Sequence, residues 1–369
     1  MNEDGAPPVS DAHVVWLDDV ERASPEVLGG KLSNLAEITR RGFAVPPAFG
    51  VTTLAYRRFL TAGGLEAAAA ETSSVDPGDL EAVQAASARM VAAILEAELP
   101  ADVEAAIRGA YARFEDVAGE EQVPVAVRSS AVAEDLAGAS FAGQYETFLW
   151  ITGAEEVLQH VRKCWTGPFT VPALTYRHED APAVAPEMAV GVQLMVTARA
   201  AGVMFTLDPL NGDRSKVVIE GAWGLGESVV GGEVNPDRHR VDKVTLELLG
   251  QDIASKDVET RFDASSGRVQ TVPVPEDRRL ESCLEPDQVI ALARLAKRIE
   301  ADRDGPVDIE WAIDGRGRVH VLQVRPETVW SRKPRASLGA SRGGGVNRVL
   351  ATLMARTAHT PAAGEQDRE

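Results

Sequence analysis

Near residue 186 the chain changes character, and that change limits its architecture most. Before it, from about 53 to 117, the sequence is alanine-rich and helical, in segments such as LEAAAAE, GDLEAVQAASARMVAAILEAEL and ADVEAAIRGAYARFEDV, separated by Asp-Pro-Gly at 76–78 and by Pro100. After it come β-rich segments with short turns, MAVGVQLMV, AGVMFTLDP and KVVIEGAW. A chain of 369 residues with this division reads as two domains, or as one large unit with lobes. The first lobe is expected over 1–185, the second over 186–330. The stretch 331–369, with seven Lys/Arg against three Asp/Glu, is expected as a disordered basic tail carrying one short helix at 346–358.

Composition narrows the function. Thirty-eight Lys/Arg against 56 Asp/Glu give a net charge of −18, and a surface this acidic repels a phosphate backbone, so nucleic acid is not an expected partner. Two cysteines, Cys164 and Cys283, form neither a CxxC motif nor a disulfide framework, which suits a reducing compartment. The N-terminus lacks the apolar core of a signal peptide, and no apolar run approaches the length of a membrane span. A cytoplasmic protein with no membrane partner is expected.

Four places offer chemistry, each with a plain structural alternative. Gly29-Gly30-Lys31 opens a helix, exposing backbone N–H groups beside a cation, which suits a phosphate. It is not a Walker A loop, because Pro25 stands where the first glycine belongs and Leu32 follows the lysine. Taken alone the motif is weak, and an ordinary helix start with a surface lysine is the plainer reading. Arg128 ends a buried strand, VPVAVRSS, where a guanidinium is costly unless it meets an anion. The loop that follows holds Gly138, Ser140, Gly143 and Thr147, small enough for a backbone to close over a polyanion, or simply a surface loop. GLGESVVGGEVNPD at 224–237 is not GxGxxG, since Val229 fills the last glycine's place, and shapes either a lid or a turn.

The fourth is a terminal hairpin, VDIEWAID then GRGRVHVLQVRP. Alternation puts Asp308 and Glu310 on one face of their strand. With two or four loop residues centred on Gly315-Arg316, Asp308 opposes Gln323 and Arg325 falls on the same face. Hard oxygen donors beside an arginine fit Mg²⁺ bridging nucleotide phosphates. A three-residue turn would flip one strand and dissolve the cluster, leaving a charged, solvated sheet face. Six scattered histidines show no HExxH or other tight metal spacing, and no GxSxG nucleophile elbow is present.

In this order the blocks LGGKLSNLAEI, VAVRSSAVAEDLAGASFAGQYETFL, GVMFTLDPLNGDRSKVVIEGAWGLGESVVGGEVNPDRHRV and DIEWAIDG…VHVLQVRP resemble the N-terminal nucleotide-binding region of phosphoenolpyruvate synthase, pyruvate phosphate dikinase and rifampicin phosphotransferase. The resemblance covers about 14–328, with departures at Tyr145 and Leu207. It implies an α+β ATP-grasp fold, two lobes clamping Mg-ATP. By motif it implies that Lys31, Arg128 and Arg325 contact the phosphates, that Gly143 and Thr147 belong to a phosphate-covering loop, and that Glu310 and Gln323 hold the metal. More loosely, it sets Gln193 and Met195 on the strand lining the adenine. Family enzymes carry the phosphorylatable histidine in a separate swivelling domain, and none of the six histidines here lies in such a context. The resemblance therefore implies a dikinase-type phosphotransferase subunit, in extent like the nucleotide-binding subunit of phenylphosphate synthase. Its expected partner is a protein carrying the phosphohistidine and acceptor-binding domains. A binding module without turnover and a direct small-molecule kinase remain as alternatives.

Overall fold

A computed structural model describes residues 12–19, 23–132, 146–175, 187–263 and 265–330. Gly143 and the expected tail lie outside them. In chain order the described elements begin with β1 (Val14–Trp16), α1 (Pro25–Arg40), β2 (Ala48–Val51) and four helices, α2 (Thr53–Ala62), α3 (Glu66–Ser73), α4 (Leu80–Glu96) and α5 (Ala101–Ala118). Next come β3 (Val125–Ala131), β4 (Thr147–Ile151), α6 (Ala154–Thr166), α7 (Val171–Thr175) and β5 (Met188–Leu194). Then follow β6 (Ala198–Phe205), β7 (Lys216–Trp223), α8 (Glu227–Val230), β8 (Asp237–Asp242), β9 (Leu248–Asp252), β10 (Val258–Asp263) and β11 (Arg268–Pro273). The last three are α9 (Pro286–Arg303), β12 (Val307–Asp314) and β13 (Val319–Pro326).

Two antiparallel sheets organise these elements. The first runs β1-β2-β5-β3-β4 and the second β13-β12-β6-β7-β8-β9, while β10 and β11 form a separate two-stranded ribbon. The strand Met188–Leu194, expected in the second lobe, instead pairs between β2 and β3 in the first sheet. The handover between sheets therefore falls between Leu194 and Ala198, not at 185. Apolar runs alone do not say which sheet a buried strand joins, because β5 and β6 are both short runs of mostly apolar and small residues.

Each sheet buries one face. On the first, Phe49, Val51, Val125, Val127, Val190 and Val192 share a core with Tyr56, Phe59, Ile107, Phe114 and Trp165 from the helical block. Residues offset by one, Ala126, Arg128 and Gln193, lie on the opposite face by strand alternation. On the second sheet Met204, Ile219, Ile309 and Val324 pack with Leu292, Ala296 and Ile299 of α9. The proline of Pro286 opens α9 within its first turn, and a capping box between Glu285 and Gln288 closes that end. Leu28, Leu32, Leu35 and Ile38 of α1 join this second core.

Helix α1 begins earlier than the glycine pair suggests. Pro25 opens it, and Gly29 interrupts it at φ 71°, ψ 172°. A side chain there would set its Cβ 2.1 Å from the carbonyl oxygen of Ser130. Only glycine allows both this backbone and this approach. Immediately afterwards the Leu32 amide donates to Ser130 Oγ at 3.2 Å. The helix restart at Gly30-Lys31 is thus clamped onto the carboxyl end of β3.

Candidate active site

Arg128 extends from β3 in the first sheet to the hairpin of the second. Its Nη2 donates to Gln323 Oε1 at 2.6 Å and lies 3.4 Å from Glu310 Oε2, and its Nη1 donates to the Leu322 carbonyl at 3.2 Å. Arg325 approaches the same carboxylate from the other side, with Nη2 3.8 Å from Glu310 Oε1. Glu310 therefore sits between two guanidinium groups, one from each sheet. Arg128 and Gln323 are buried, while Glu310 and Arg325 keep partial access to solvent.

The hairpin reaches this arrangement by an unexpected route. Its turn has three loop residues, Gly315–Gly317: the Asp314 amide donates to the Arg318 carbonyl, and Asp314 Oδ1 accepts from the amides of Arg316 and Arg318. Gly317 supplies the positive φ, 80°, that such a turn needs. Taken alone, this turn would put Asp308 and Glu310 on the face opposite Gln323 and Arg325. A β-bulge corrects it. Trp311 pairs with Val321 but Glu310 pairs with Gln323, so Leu322 is the extra residue. Beyond the bulge Asp308 opposes Arg325, not Gln323 as expected, and all four side chains share one face. The carbonyl of bulged Leu322 is the one that Arg128 takes up.

Asp308 is a partly buried carboxylate on this face. Burial raises its pKa to about 6, Glu327 adds to the rise, and Arg325 opposes it. Its Oδ1 has no hydrogen-bond partner among the described residues, and neither do Arg128 Nε, Arg325 Nε, Gln323 Nε2 or Gln193 Nε2. Buried polar atoms normally find partners, so this concentration of orphans on one surface fits a ligand-binding face. Gln193 lies between Ala48 and Ala126, on the same face as Arg128. Thr147 pairs directly with Arg128 across β3 and β4. Met195 follows β5, with its amide donating to the Pro124 carbonyl. Lys31, 6 % exposed, lies at the clamped restart of α1 after Gly29. Of the sequence-derived residues, then, Arg128, Glu310, Gln323 and Arg325 meet through direct contacts. Thr147, Gln193 and Lys31 flank them on the first sheet and α1, and Gly143 falls outside the described residues.

The polar face continues where sequence reading did not look. Across the second sheet the row from Gln323 and Glu310 passes Val203 to Glu220 and Arg238, which pair at 2.9 Å. The signal was available: Glu220 is the only charge in the interior of the apolar run KVVIEGAW. No group of three or more His, Cys, Asp or Glu capable of holding a metal occurs among the described residues. One carboxylate and one amide oxygen suit a magnesium ion whose remaining ligands are phosphates and waters.

An α+β protein whose two sheets meet through cations, a carboxylate and an amide has the form of a nucleotide clamp. The family model "Pyruvate phosphate dikinase, AMP/ATP-binding domain" matches residues 25–341, and the chain belongs to that family and to its ATP-grasp fold. Among curated relatives it is 43% identical over 320 residues to a probable phosphoenolpyruvate synthase of Methanocaldococcus jannaschii, covering 85% of this chain and 26% of the relative. It is 39% identical over 357 residues to the phosphoenolpyruvate synthase of Aeropyrum pernix, 87% of this chain and 43% of that one. A rifampicin phosphotransferase of a Streptomyces species is 41% identical over 322 residues, 85% and 36% of the two chains. The chain thus spans between about a quarter and under half the length of these relatives. A solved ATP-grasp ligase, PsnB with precursor peptide and AMPPNP, aligns at 13% identity with a TM-score of 0.26 over 91% of this chain and 61% of its own.

Proposed function

We propose that the chain is the nucleotide-binding part of a dikinase-type phosphotransferase. Mg-ATP binds between the two sheets, and a histidine on a separate swivelling domain or partner chain takes its β,γ-phosphates. The observation that carries this reading is the Arg128–Glu310–Arg325 alternation with Gln323 inserted. Two cations from different sheets share one carboxylate, a compact set able to exchange internal ion pairs for phosphate and metal contacts. Lys31, Arg128 and Arg325 would hold the phosphates, and Glu310 and Gln323 would offer oxygens to Mg²⁺, which neutralises developing charge. Gly143 and Thr147 would cover the phosphates, and Gln193 and Met195 would border the adenine.

In this scheme a histidine nitrogen attacks the β-phosphorus and the α–β bridging bond breaks. AMP leaves and a pyrophosphoryl-histidine forms. Water then cleaves the β–γ bond, releasing phosphate and leaving phosphohistidine for onward transfer to a small molecule. The four described histidines support an external nucleophile. His13 contacts Asp102, His160 contacts Glu156 and Lys163, His320 contacts Asp314, and His239 is buried at 1% exposure. Positioning and electrostatics supply most of the rate in such chemistry.

The test supplies Mg-ATP with the histidine-bearing domain of a phosphoenolpyruvate synthase in trans and analyses nucleotide products. AMP and phosphate, lost in Arg128→Ala and Glu310→Ala, support the reading. Undiminished AMP formation in both variants rejects the site. ADP formed without any added domain supports a direct kinase instead, and tight binding with no product supports a module without turnover.

A further inference from the structure

Trp150 adopts φ 60°, a left-handed backbone that a bulky side chain rarely takes. It lies where the β3–β4 pairing shifts register between Val125 and Val127. Such a conformation persists only when its surroundings hold it. What meets it is the ring of Phe262, parallel within 11° at a centroid distance of 4.5 Å. Phe262 belongs to the β10–β11 ribbon, not to either sheet. Two residues before it, the Thr260 carbonyl accepts the Leu225 amide at 2.8 Å, and Thr260 bridges Gly224. The ribbon is therefore fastened at one point to the glycine-rich segment after β7 and at another to the edge strand of the first sheet. Three residues from Trp150 on that strand is Thr147, paired with Arg128.

We propose that the Trp150–Phe262 stack is a strap that positions Thr147 for the phosphates of the nucleotide. The inference rests on the reading of Thr147 as a phosphate contact. The ring stack holds β4 in its left-handed kink. Without it the strand relaxes to ordinary extended geometry, Thr147 moves relative to Arg128, and a phosphate contact loosens although no residue touching nucleotide has changed. Both aromatics are thus positioning residues.

The experiment compares Mg-ATP affinity by calorimetry, and melting temperature without nucleotide, in wild type, Phe262→Ala, Phe262→Leu and Phe262→Tyr. Aromatic pairs contribute enough beyond burial to expect roughly two- to tenfold weaker binding in the alanine and leucine variants, with tyrosine restoring wild-type affinity. Leucine keeps apolar contact and so keeps the fold, which separates positioning from stability. Wild-type affinity in Phe262→Leu overturns the strap. Equal weakening in the leucine and tyrosine variants overturns it as well. Wild type that fails to bind Mg-ATP overturns the nucleotide reading itself, and the strap with it.

Discussion

Arg128 precedes Gln323 by 195 positions, yet its guanidinium lies 2.6 Å from that amide oxygen. This contact joins the middle of β3 in one sheet to the hairpin of the other. It also explains why an arginine is tolerated at the 9% exposure of Arg128. Its planar fork meets an amide, a carboxylate and a backbone carbonyl at once.

Replacing Arg128 with lysine is expected to fail as a conservative change. A single ammonium cannot span Leu322 O, Gln323 Oε1 and Glu310 Oε2, so Arg128→Lys weakens Mg-ATP binding by about tenfold or more. Arg128→Ala lowers any associated phosphotransfer rate by about 10²–10³. Isothermal titration and product assays check both. A lysine variant with wild-type affinity would show that charge alone matters.

Gly29→Ala tests the clamp on β3. The added Cβ meets the Ser130 carbonyl and the positive φ is strained, so a loss of about 2–4 kcal/mol is expected in denaturant unfolding. Nucleotide affinity falls too if Lys31 depends on this helix restart. A stable, fully binding variant would separate the glycine from the site.

The hairpin shows what the sequence could and could not disclose. Alternation correctly joined Asp308 with Glu310, and Gln323 with Arg325, because side-chain period in a strand is local. The relative register of the two strands depends on turn length and on any bulge, and neither is written in hydrophobic pattern. The three-residue turn and the bulge at Leu322 each flip one face, and together they cancel. The placement of β5 escapes the pattern for a related reason: its partners lie more than 50 residues away along the chain, at Val125–Ala131 and Ala48–Val51, and no local signal names them. Lys31 and Arg128 are singled out by motif, while the Glu220–Arg238 pair needs the sheet order before it can be placed in the row with Glu310.

Both thiols should be silent in the folded protein. Burial pushes Cys164 up to about 12, moderated by the Ser129 side chain, and burial raises Cys283 as well. A disulfide-exchange reagent at pH 8 is expected to label neither native cysteine and to label both after denaturation. Rapid native labelling of Cys164 would show that the helical layer behind Ser129 opens readily.

Asp213 gives a pH signature. The Lys216 ammonium, followed by the Ser215 hydroxyl and amide, lowers its pKa to about 2. A lowered carboxylate pKa contributes stability above its unfolded value near 4, and this is lost as pH falls toward 2. Asp213→Asn should therefore be modestly less stable than wild type at pH 7, with the difference vanishing near pH 2. The pair is a third exposed, so the effect is small and salt-sensitive. A difference that persisted unchanged at pH 2 would assign the loss to the turn's hydrogen bonds and not to the charge.

The central claim is that cations and oxygens drawn from two sheets grip one magnesium-bound triphosphate. A calorimetric titration of the wild-type chain with ATP, with magnesium and again with excess chelator, tests it most directly. The account expects saturable one-to-one binding that is tighter with magnesium and lost in Glu310→Ala together with Arg128→Ala. Absence of binding under all conditions, or binding indifferent to both magnesium and these substitutions, would contradict it.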